Sequence, residues 1–288
     1  EGVIDVNTYL PCAGVYKKVT PNPKCWIYPN AHGSLDVSGA IENSCNSFFY
    51  EVGYRLSLKD NGINSISQDN NQGDATNAYY SSELGLQKLS KYAQMFGLGT
   101  TSGMEIPEAD PQISDDSSVP SAIGQGTNNY TVSQINRYVT AVANRGTVYS
   151  LSLIDKTTDS NGKLIKDYTP EVVNQMDEIS SSTWDLVHNG MESMVKSSST
   201  FAGMDISMGG KTGTAQYSKI HADNVLFVGY APADSPEISI AVRIANGYAS
   251  TYAAEIGRDI TKVYFNPESA DELLQGYASS LGTAGAGD

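Results

Sequence analysis

The stretch SMGGKTGTAQYS, from Ser207 to Ser218, is the most informative part of this sequence. It places three glycines and two threonines around a single lysine, Lys211, and it has little apolar content. A phosphate-binding loop is excluded, because the first glycine of that motif would fall at Asp205. Two interpretations remain at this point: the edge strand of an active site, or an exposed lysine beside a glycine bulge.

Composition restricts the class of protein. The chain has 288 residues and a net charge of -14, which argues against a nucleic-acid partner. It has no apolar run of the roughly 18 residues that a membrane span requires, and no signal peptide. The chain starts at Glu1-Gly2-Val3 without a methionine. We therefore interpret it as a piece of a longer protein, from which absent motifs and anchors carry little weight.

Periodicity and capping residues predict helices on both sides of a short antiparallel sheet, which is a mixed α/β fold. Thr131 and Gln134 form a capping box, and Asp159-Ser160-Asn161-Gly162 forms the turn of a hairpin across residues 149–168. Residues 1–38, 60–80 and 100–128 are predicted to be irregular. Helices are predicted at 38–57 (interrupted near Ser44–Asn46), 82–99, 131–146, 180–198 and 250–265, and strands at 207–218, 224–232 and 237–246.

A second motif changes the interpretation of Lys211. Ser44-Cys45-Asn46 has the form Ser-x-Asn and precedes Lys211-Thr212-Gly213. This order, together with CWIYPNAHGSLDVSGAIENSCNSFFYEVG and HADNVLFVGYAP, resembles the transpeptidase domain of class B penicillin-binding proteins, in the elongation-type penicillin-binding protein 2 branch. The resemblance implies a penicillin-binding protein/serine β-lactamase-like fold, with residues 1–275 as a partial transpeptidase domain and 276–288 as a flexible tail.

The nucleophile of that family, the serine of Ser-x-x-Lys, has no acceptable match here. Ser160-Asn161-Gly162-Lys163 is a hairpin turn. Ser193-Met194-Val195-Lys196 is in mid-helix, where the terminal N–H groups of an oxyanion site are absent. Both patterns also follow Ser44, which reverses the family order. We expect the nucleophile just before Glu1, and the chain alone to be inactive.

The resemblance implies a role for each remaining part of the acyl-transfer site. Ser44 and Asn46 relay protons and orient the missing lysine and the substrate amide. Lys211 supplies positive charge to the Ser44 hydroxyl and to the substrate carboxylate. Substrate binding is assigned to the rest of the stretch: Thr212, Gly213 and Thr214. The Thr214 backbone N–H would be one oxyanion donor, and the N–H of the missing serine the other.

The three cysteines form a candidate metal site with one histidine. Cys12, Cys25, His32 and Cys45 fall within 34 residues, and three thiolates with an imidazole suit tetrahedral zinc. The resemblance supports His32 and Cys45, because some elongation-type relatives hold zinc there. The alternative is a disulfide between Cys12 and Cys25, with Cys45 buried. His188 is predicted to lie on the surface of its helix or to be half-buried, and for His221 we predict a structural role in packing and not a catalytic one.

The resemblance also implies partners and location. The substrate would be a peptidoglycan stem peptide ending in D-Ala–D-Ala, and β-lactam antibiotics would acylate the same site. A glycosyltransferase of the cell-wall elongation machinery would be a partner. An N-terminal anchor absent from this chain would hold the protein at the extracytoplasmic face of the bacterial membrane. Two alternatives stay open: a serine β-lactamase or sensor relative, and a non-catalytic cell-wall scaffold.

Overall fold

A computed structural model describes residues 1–59, 79–216 and 220–273. The predicted loop at 60–80 lies almost wholly outside these residues, as do the predicted tail at 276–288 and residues 217–219. No helix in the described residues is long and apolar enough to cross a membrane. The described helices are α1 (Val37–Glu42), α2 (Asn46–Leu56), α3 (Ser82–Met95), α4 (Ser118–Ser121), α5 (Val132–Ala143), α6 (Ser181–Ser197), α7 (Ser250–Phe265) and α8 (Ala270–Leu273).

The strands form one three-stranded sheet and three two-stranded pairs within the described residues. The strands are β1 (Leu10–Cys12), β2 (Gly33–Leu35), β3 (Thr147–Tyr149), β4 (Lys156–Thr158), β5 (Leu164–Asp167), β6 (Val172–Gln175), β7 (Gly209–Ala215), β8 (Asn224–Ala231) and β9 (Ile238–Ile244). The larger sheet has the order β7-β8-β9 and is antiparallel throughout. The small pairs are β1 with β2, β3 with β6, and β4 with β5.

The central strand β8 is covered on both faces, which explains its nearly continuous apolar sequence. Phe227 points to one face and packs against α7, where a Cβ on Gly257 would lie 2.3 Å from its ring. Tyr230 points to the other face, and its ring centroid lies 5.2 Å from that of His188 on α6. The antiparallel sheet flanked by helices confirms the predicted fold class.

The predicted elements match the structure where local signals were strong. The helix at 38–57 is interrupted at Asn43–Cys45, the capping box of Thr131 and Gln134 is present, and α7 has the predicted bounds. The irregular N-terminal segment contains the short pair β1–β2, and the 100–128 loop contains α4. The predicted hairpin is present as the pair β4–β5, whose turn is local and carries a sequence signal. The pair β1–β2 was missed because its strands have only three residues each and pair across about 20 residues of chain.

Helix α6 connects the two motifs singled out in the sequence, since it packs against both α1 and β7. The α1–α6 contact is close because α6 has a glycine there. A Cβ on Gly190 would lie 2.7 Å from the Ile41 Cβ and 2.8 Å from the Ser38 carbonyl oxygen. The Ser38 hydroxyl also donates to the Leu186 carbonyl at 2.7 Å. Gly190 therefore sets how near α1 lies to the sheet.

Replacing Gly190 by alanine should destabilise the protein, although alanine is the better helix former. The added methyl group must displace α1 backbone, and we expect the free energy of unfolding to fall by about 1–3 kcal/mol. Urea denaturation of Gly190→Ala and of Asn189→Ala, at the neighbouring exposed position, provides the comparison. A Gly190→Ala protein as stable as the wild type would show that α1 and α6 tolerate a larger separation.

Candidate active site and cysteine–histidine cluster

Ser44 lies in a tight turn that ends α1. The Cys45 N–H donates to the Ala40 carbonyl at 2.9 Å and the Ser44 N–H to the Ile41 carbonyl at 3.2 Å, the bond pattern of a Schellman motif. Ser44 occupies the left-handed position of that motif, with φ of 52°. Glycine or asparagine is usual there, because a side chain costs about 1–2 kcal/mol in this conformation. The turn directs the Ser44 side chain away from α1.

The side chain of Ser44 meets Lys211 across 167 residues of sequence. The Lys211 Nζ donates to the Ser44 hydroxyl oxygen at 2.8 Å and to the Thr212 carbonyl oxygen at 2.9 Å. The structure thus brings together the two residues that the sequence predicted to cooperate. Helix α6 makes this possible by packing on the elements that carry each of them.

Burial lowers the pKa of the Lys211 ammonium group. Desolvation disfavours the ammonium form and lowers the pKa of Lys211 to about 8. Near neutral pH the side chain is still mostly protonated, and its hydrogen bonds point the charge at the Ser44 hydroxyl. A cation in a partly dry cleft interacts with a substrate anion more strongly than an exposed one.

The other predicted site residues are neighbours of this pair in sequence. Asn46 is the first residue of α2, two positions after Ser44. Gly213 shares the face of β7 with Lys211, whereas Thr212 and Thr214 belong to the opposite face by strand alternation. The pleat therefore does not bring the threonine side chains together with Lys211. A Cβ on Gly213 would lie 3.7 Å from Leu226, an ordinary contact, so packing within the chain does not require glycine there.

The four predicted metal ligands converge on one point. The Sγ atoms of Cys12, Cys25 and Cys45 and a ring nitrogen of His32 all lie within 4.8 Å of one another. The His32 Nδ1 lies 3.5 Å from the Cys12 sulfur and 3.6 Å from the Cys25 sulfur. Bonds of about 2.3 Å to sulfur and about 2.0 Å to nitrogen at tetrahedral angles separate these atoms by about 3.5 Å. This cysteine–histidine cluster fits a tetrahedral zinc ion, and its thiols are free.

The N-terminus of α2 prepares the cluster for thiolates. The Cys45 thiol donates to the Cys25 sulfur, and the backbone N–H groups of Ser47, Ile27 and Asn46 also point at it. These bonds hold the pKa of Cys25 well below its usual range, although burial opposes them. The bond to Cys25, together with burial, raises the pKa of Cys45. These contacts, at a helix start that favours negative charge, therefore favour a thiolate at Cys25.

Trp26, which no motif in the sequence indicated, contacts both the cluster and the Ser44 turn. Its indole N–H donates to the Asn43 carbonyl at 3.0 Å, and its ring meets the His32 ring edge-on at a centroid distance of 5.6 Å. The His32 Nε2 is buried and has no hydrogen-bond partner among the residues that the structure describes. Packing against Trp26 therefore helps to set the orientation of the His32 ring. No local signal in the sequence reveals such a contact.

A buried carboxylate attaches the N-terminal segment to α2. Glu51 accepts from the Tyr16 hydroxyl at 2.8 Å, Lys18 at 3.0 Å and Arg55 at 2.9 Å. Arg55 also donates to the Val3 carbonyl at 3.0 Å. These bonds fix the segment that carries Cys12 and Cys25 to the helix that follows Ser44.

The two Ser-x-x-Lys patterns lie where the sequence placed them. Ser193 is inside α6, and Ser160–Lys163 connects β4 to β5. His188 is more buried than predicted, and its Nε2–H donates to the Val142 carbonyl at 2.8 Å. Its structural role is thereby explained. His221 lies just before β8.

Comparison with known proteins places this site in a family. A family model described as penicillin binding protein transpeptidase domain matches residues 1–262. Penicillin-binding protein 2B of Streptococcus pneumoniae (serotype 2, strain D39) is 26% identical over 292 positions, covering 92% of this chain and 40% of its own length. Peptidoglycan D,D-transpeptidase MrdA of Haemophilus influenzae is 24% identical, covering 86% of this chain and 41% of its own length.

Solved structures agree on the fold. The crystal structure of Pseudomonas aeruginosa penicillin-binding protein 2 in complex with WCK 5153 superposes with a TM-score of 0.69 at 23% sequence identity, covering 92% of this chain and 55% of that one. The chain spans about 40% of the length of the curated relatives it matches. The family match and the names of these relatives confirm the predicted resemblance: this chain belongs to the penicillin-binding protein transpeptidase family, in its penicillin-binding protein 2 branch.

Proposed function

We propose that the parent protein is a peptidoglycan D,D-transpeptidase, and that this chain supplies the Ser-x-Asn and Lys-Thr-Gly parts of its active site. The observation that carries the proposal is the 2.8 Å hydrogen bond from Lys211 to Ser44. It joins two motifs that are 167 residues apart and that are two of the three motifs of this class of acyl-transfer site. The family match and the relatives' names support the same activity.

In the proposed reaction, an upstream serine attacks the carbonyl of the D-Ala–D-Ala bond and forms an acyl-enzyme as D-Ala leaves. An amine of a second stem peptide then attacks the ester and restores the serine. Ser44 moves protons between the upstream residues and the leaving amine. Lys211 keeps the Ser44 hydroxyl oriented and attracts the terminal carboxylate of the substrate.

The edge position of β7 suits an extended peptide substrate. In the described sheet β7 pairs with β8 on one side only. A free strand edge can pair with the backbone of a bound peptide. Since the chain itself leaves room for a side chain at Gly213, we assign this glycine to close approach of the substrate backbone. Thr212 and Thr214 remain assigned to the substrate carboxylate by the family resemblance. Because strand alternation puts these two side chains on the face of β7 opposite to Lys211, Lys211 acts on that carboxylate through its charge and does not share a binding pocket with them.

The same proposal implies that β-lactams acylate the protein, that a glycosyltransferase is its partner and that it lies outside the cytoplasm. A β-lactam would acylate the upstream serine in place of D-Ala–D-Ala, as the name penicillin-binding protein of the relatives suggests. A glycosyltransferase of the elongation machinery would supply the glycan strands. Cross-linking of peptidoglycan places the protein at the extracytoplasmic face of the membrane, held by a segment outside this chain.

The Lys211 charge should matter more than the Thr214 hydroxyl. In the parent protein, Lys211→Ala should reduce the second-order rate of acylation by a fluorescent penicillin by about 10²–10³, the usual effect of losing one electrostatic contact in such a site. Thr214→Ala should reduce the acylation rate less, since the backbone N–H of residue 214, the expected oxyanion donor, remains. An acylation rate of Lys211→Ala equal to that of the wild type would show that Lys211 does not take part in the reaction.

The 288-residue chain alone should give no labelled band, because it lacks an acceptable Ser-x-x-Lys nucleophile.

The depressed pKa of Lys211 should appear in the pH profile of acylation. As pH rises through about 8, Lys211 loses the proton that it donates to Ser44, so the rate should fall above that pH. Lys211→Arg stays protonated throughout, so the ratio of wild-type to variant rate should decline across the same interval. A ratio that stays constant from pH 6 to about 10 would show that protonation of Lys211 does not control acylation.

We further propose that the cysteine–histidine cluster holds one structural zinc ion. Cys12, Cys25 and Cys45 would bind as thiolates and His32 through Nδ1, as the distances between these donors support. A bound ion would attach Cys45, between Ser44 and Asn46, to the N-terminal segment. A metal bond could also replace the core that this proline-rich segment lacks.

Elemental analysis should find about one zinc per chain, and the zinc should be lost from Cys45→Ser and from His32→Ala. His221→Ala, which changes a histidine outside the cluster, should keep it. Acid should release the ion, because these ligands bind only when deprotonated. A zinc-free protein with a Cys12–Cys25 disulfide in mass spectrometry would establish the alternative state.

A further inference from the structure

Trp26 is an exposed aromatic residue with specific contacts. The residue is 55% exposed, although it follows the buried Cys25. Its Nε1–H donates to the Asn43 carbonyl at 3.0 Å, and its ring packs edge-on against His32. A tryptophan that served only to fill a core would be buried. The exposed position of Trp26 therefore indicates that its role lies in these two contacts.

The carbonyl that Trp26 binds belongs to the peptide unit that sets the conformation of Ser44. This unit consists of the Asn43 carbonyl and the Ser44 N–H. The N–H donates to the Ile41 carbonyl at 3.2 Å, and the carbonyl accepts from Trp26. Both polar groups of the unit are therefore held. Moving Ser44 from its left-handed conformation to an ordinary one requires rotation about the bonds that flank this unit.

The left-handed conformation of Ser44 is strained and needs such support. A non-glycine residue at φ of 52° persists only where the surroundings hold it. The Schellman bonds hold the turn from the side of α1, and Cys45 holds it from the side of the cluster. Trp26 adds a third contact, because it binds the Asn43 carbonyl, which the Schellman bonds and Cys45 do not bind. A single hydrogen bond of ordinary strength is comparable with the strain.

We propose that Trp26 is a positioning residue for Ser44. Its indole N–H fixes the Asn43–Ser44 peptide unit, and thereby keeps the Ser44 hydroxyl within hydrogen-bond distance of Lys211. The Trp26 ring packs on His32, so the cysteine–histidine cluster holds the indole in the position from which it donates to Asn43. The catalytic consequence rests on the proposed transpeptidase function, whereas the conformational consequence does not.

The matched test removes the N–H and keeps an aromatic ring. In the parent protein, Trp26→Phe should slow acylation by a fluorescent penicillin roughly three- to tenfold, the effect of one neutral hydrogen bond. The loss should appear in the acylation rate constant rather than in the affinity of the non-covalent complex, because Trp26 acts on Ser44. Tyr28→Phe, at a neighbouring exposed ring, should react like the wild type. Equal acylation by Trp26→Phe and the wild type would overturn the catalytic consequence.

A second measurement decides the conformational part without relying on activity. In the wild-type protein, the Trp26 indole proton should exchange with solvent more slowly than a free indole, as its bond to Asn43 requires. The backbone chemical shifts of Ser44 should report positive φ and move toward ordinary values in Trp26→Phe, with zinc content unchanged. Exchange as fast as in free indole, or Ser44 shifts unaffected by Trp26→Phe, would overturn the proposal. If the wild type is not acylated at all, the proposed function fails and these measurements still decide the role of Trp26.

Discussion

The turn between α1 and α2 is the constraint on which the site depends. Within three residues the chain must end one helix, present a hydroxyl to Lys211 and start the next helix. The Schellman bonds end α1, and the left-handed conformation of Ser44 presents its hydroxyl to Lys211. Cys45, at the N-cap position, starts α2. A one-residue shift in this turn would separate all three.

Several otherwise unrelated features of the fold hold this turn in place. Helix α6 approaches α1 closely enough at Gly190 to bring the turn beside β7. The Glu51 network ties the N-terminal segment to α2, and the cysteine–histidine cluster lies between that segment and the turn. Acyl-transfer sites lose rate steeply when groups shift by about 1 Å, so this number of supports is consistent with a catalytic role.

The sequence predicted those parts of the structure that have local signals. Caps and periodicity located the long helices and the three strands of the sheet, and the Ser-x-Asn and Lys-Thr-Gly motifs identified Ser44 and Lys211 before their contact was visible. The short pair β1–β2 and the close contact at Gly190 were missed, because each depends on residues distant in sequence. The convergence of the four candidate ligands was predicted partly from family resemblance, since their spacing alone is only suggestive.

The left-handed conformation of Ser44 has a consequence for how this site can change over evolutionary time. Stability and chemistry make opposite demands at that position, because glycine would relieve the backbone strain while abolishing the hydroxyl. In the proposed reaction the Ser44 hydroxyl is required, so a change to glycine would relax the turn and leave the surrounding architecture intact while abolishing the proposed activity. Under that proposal, serine is kept at this position by selection for activity and not by selection for stability.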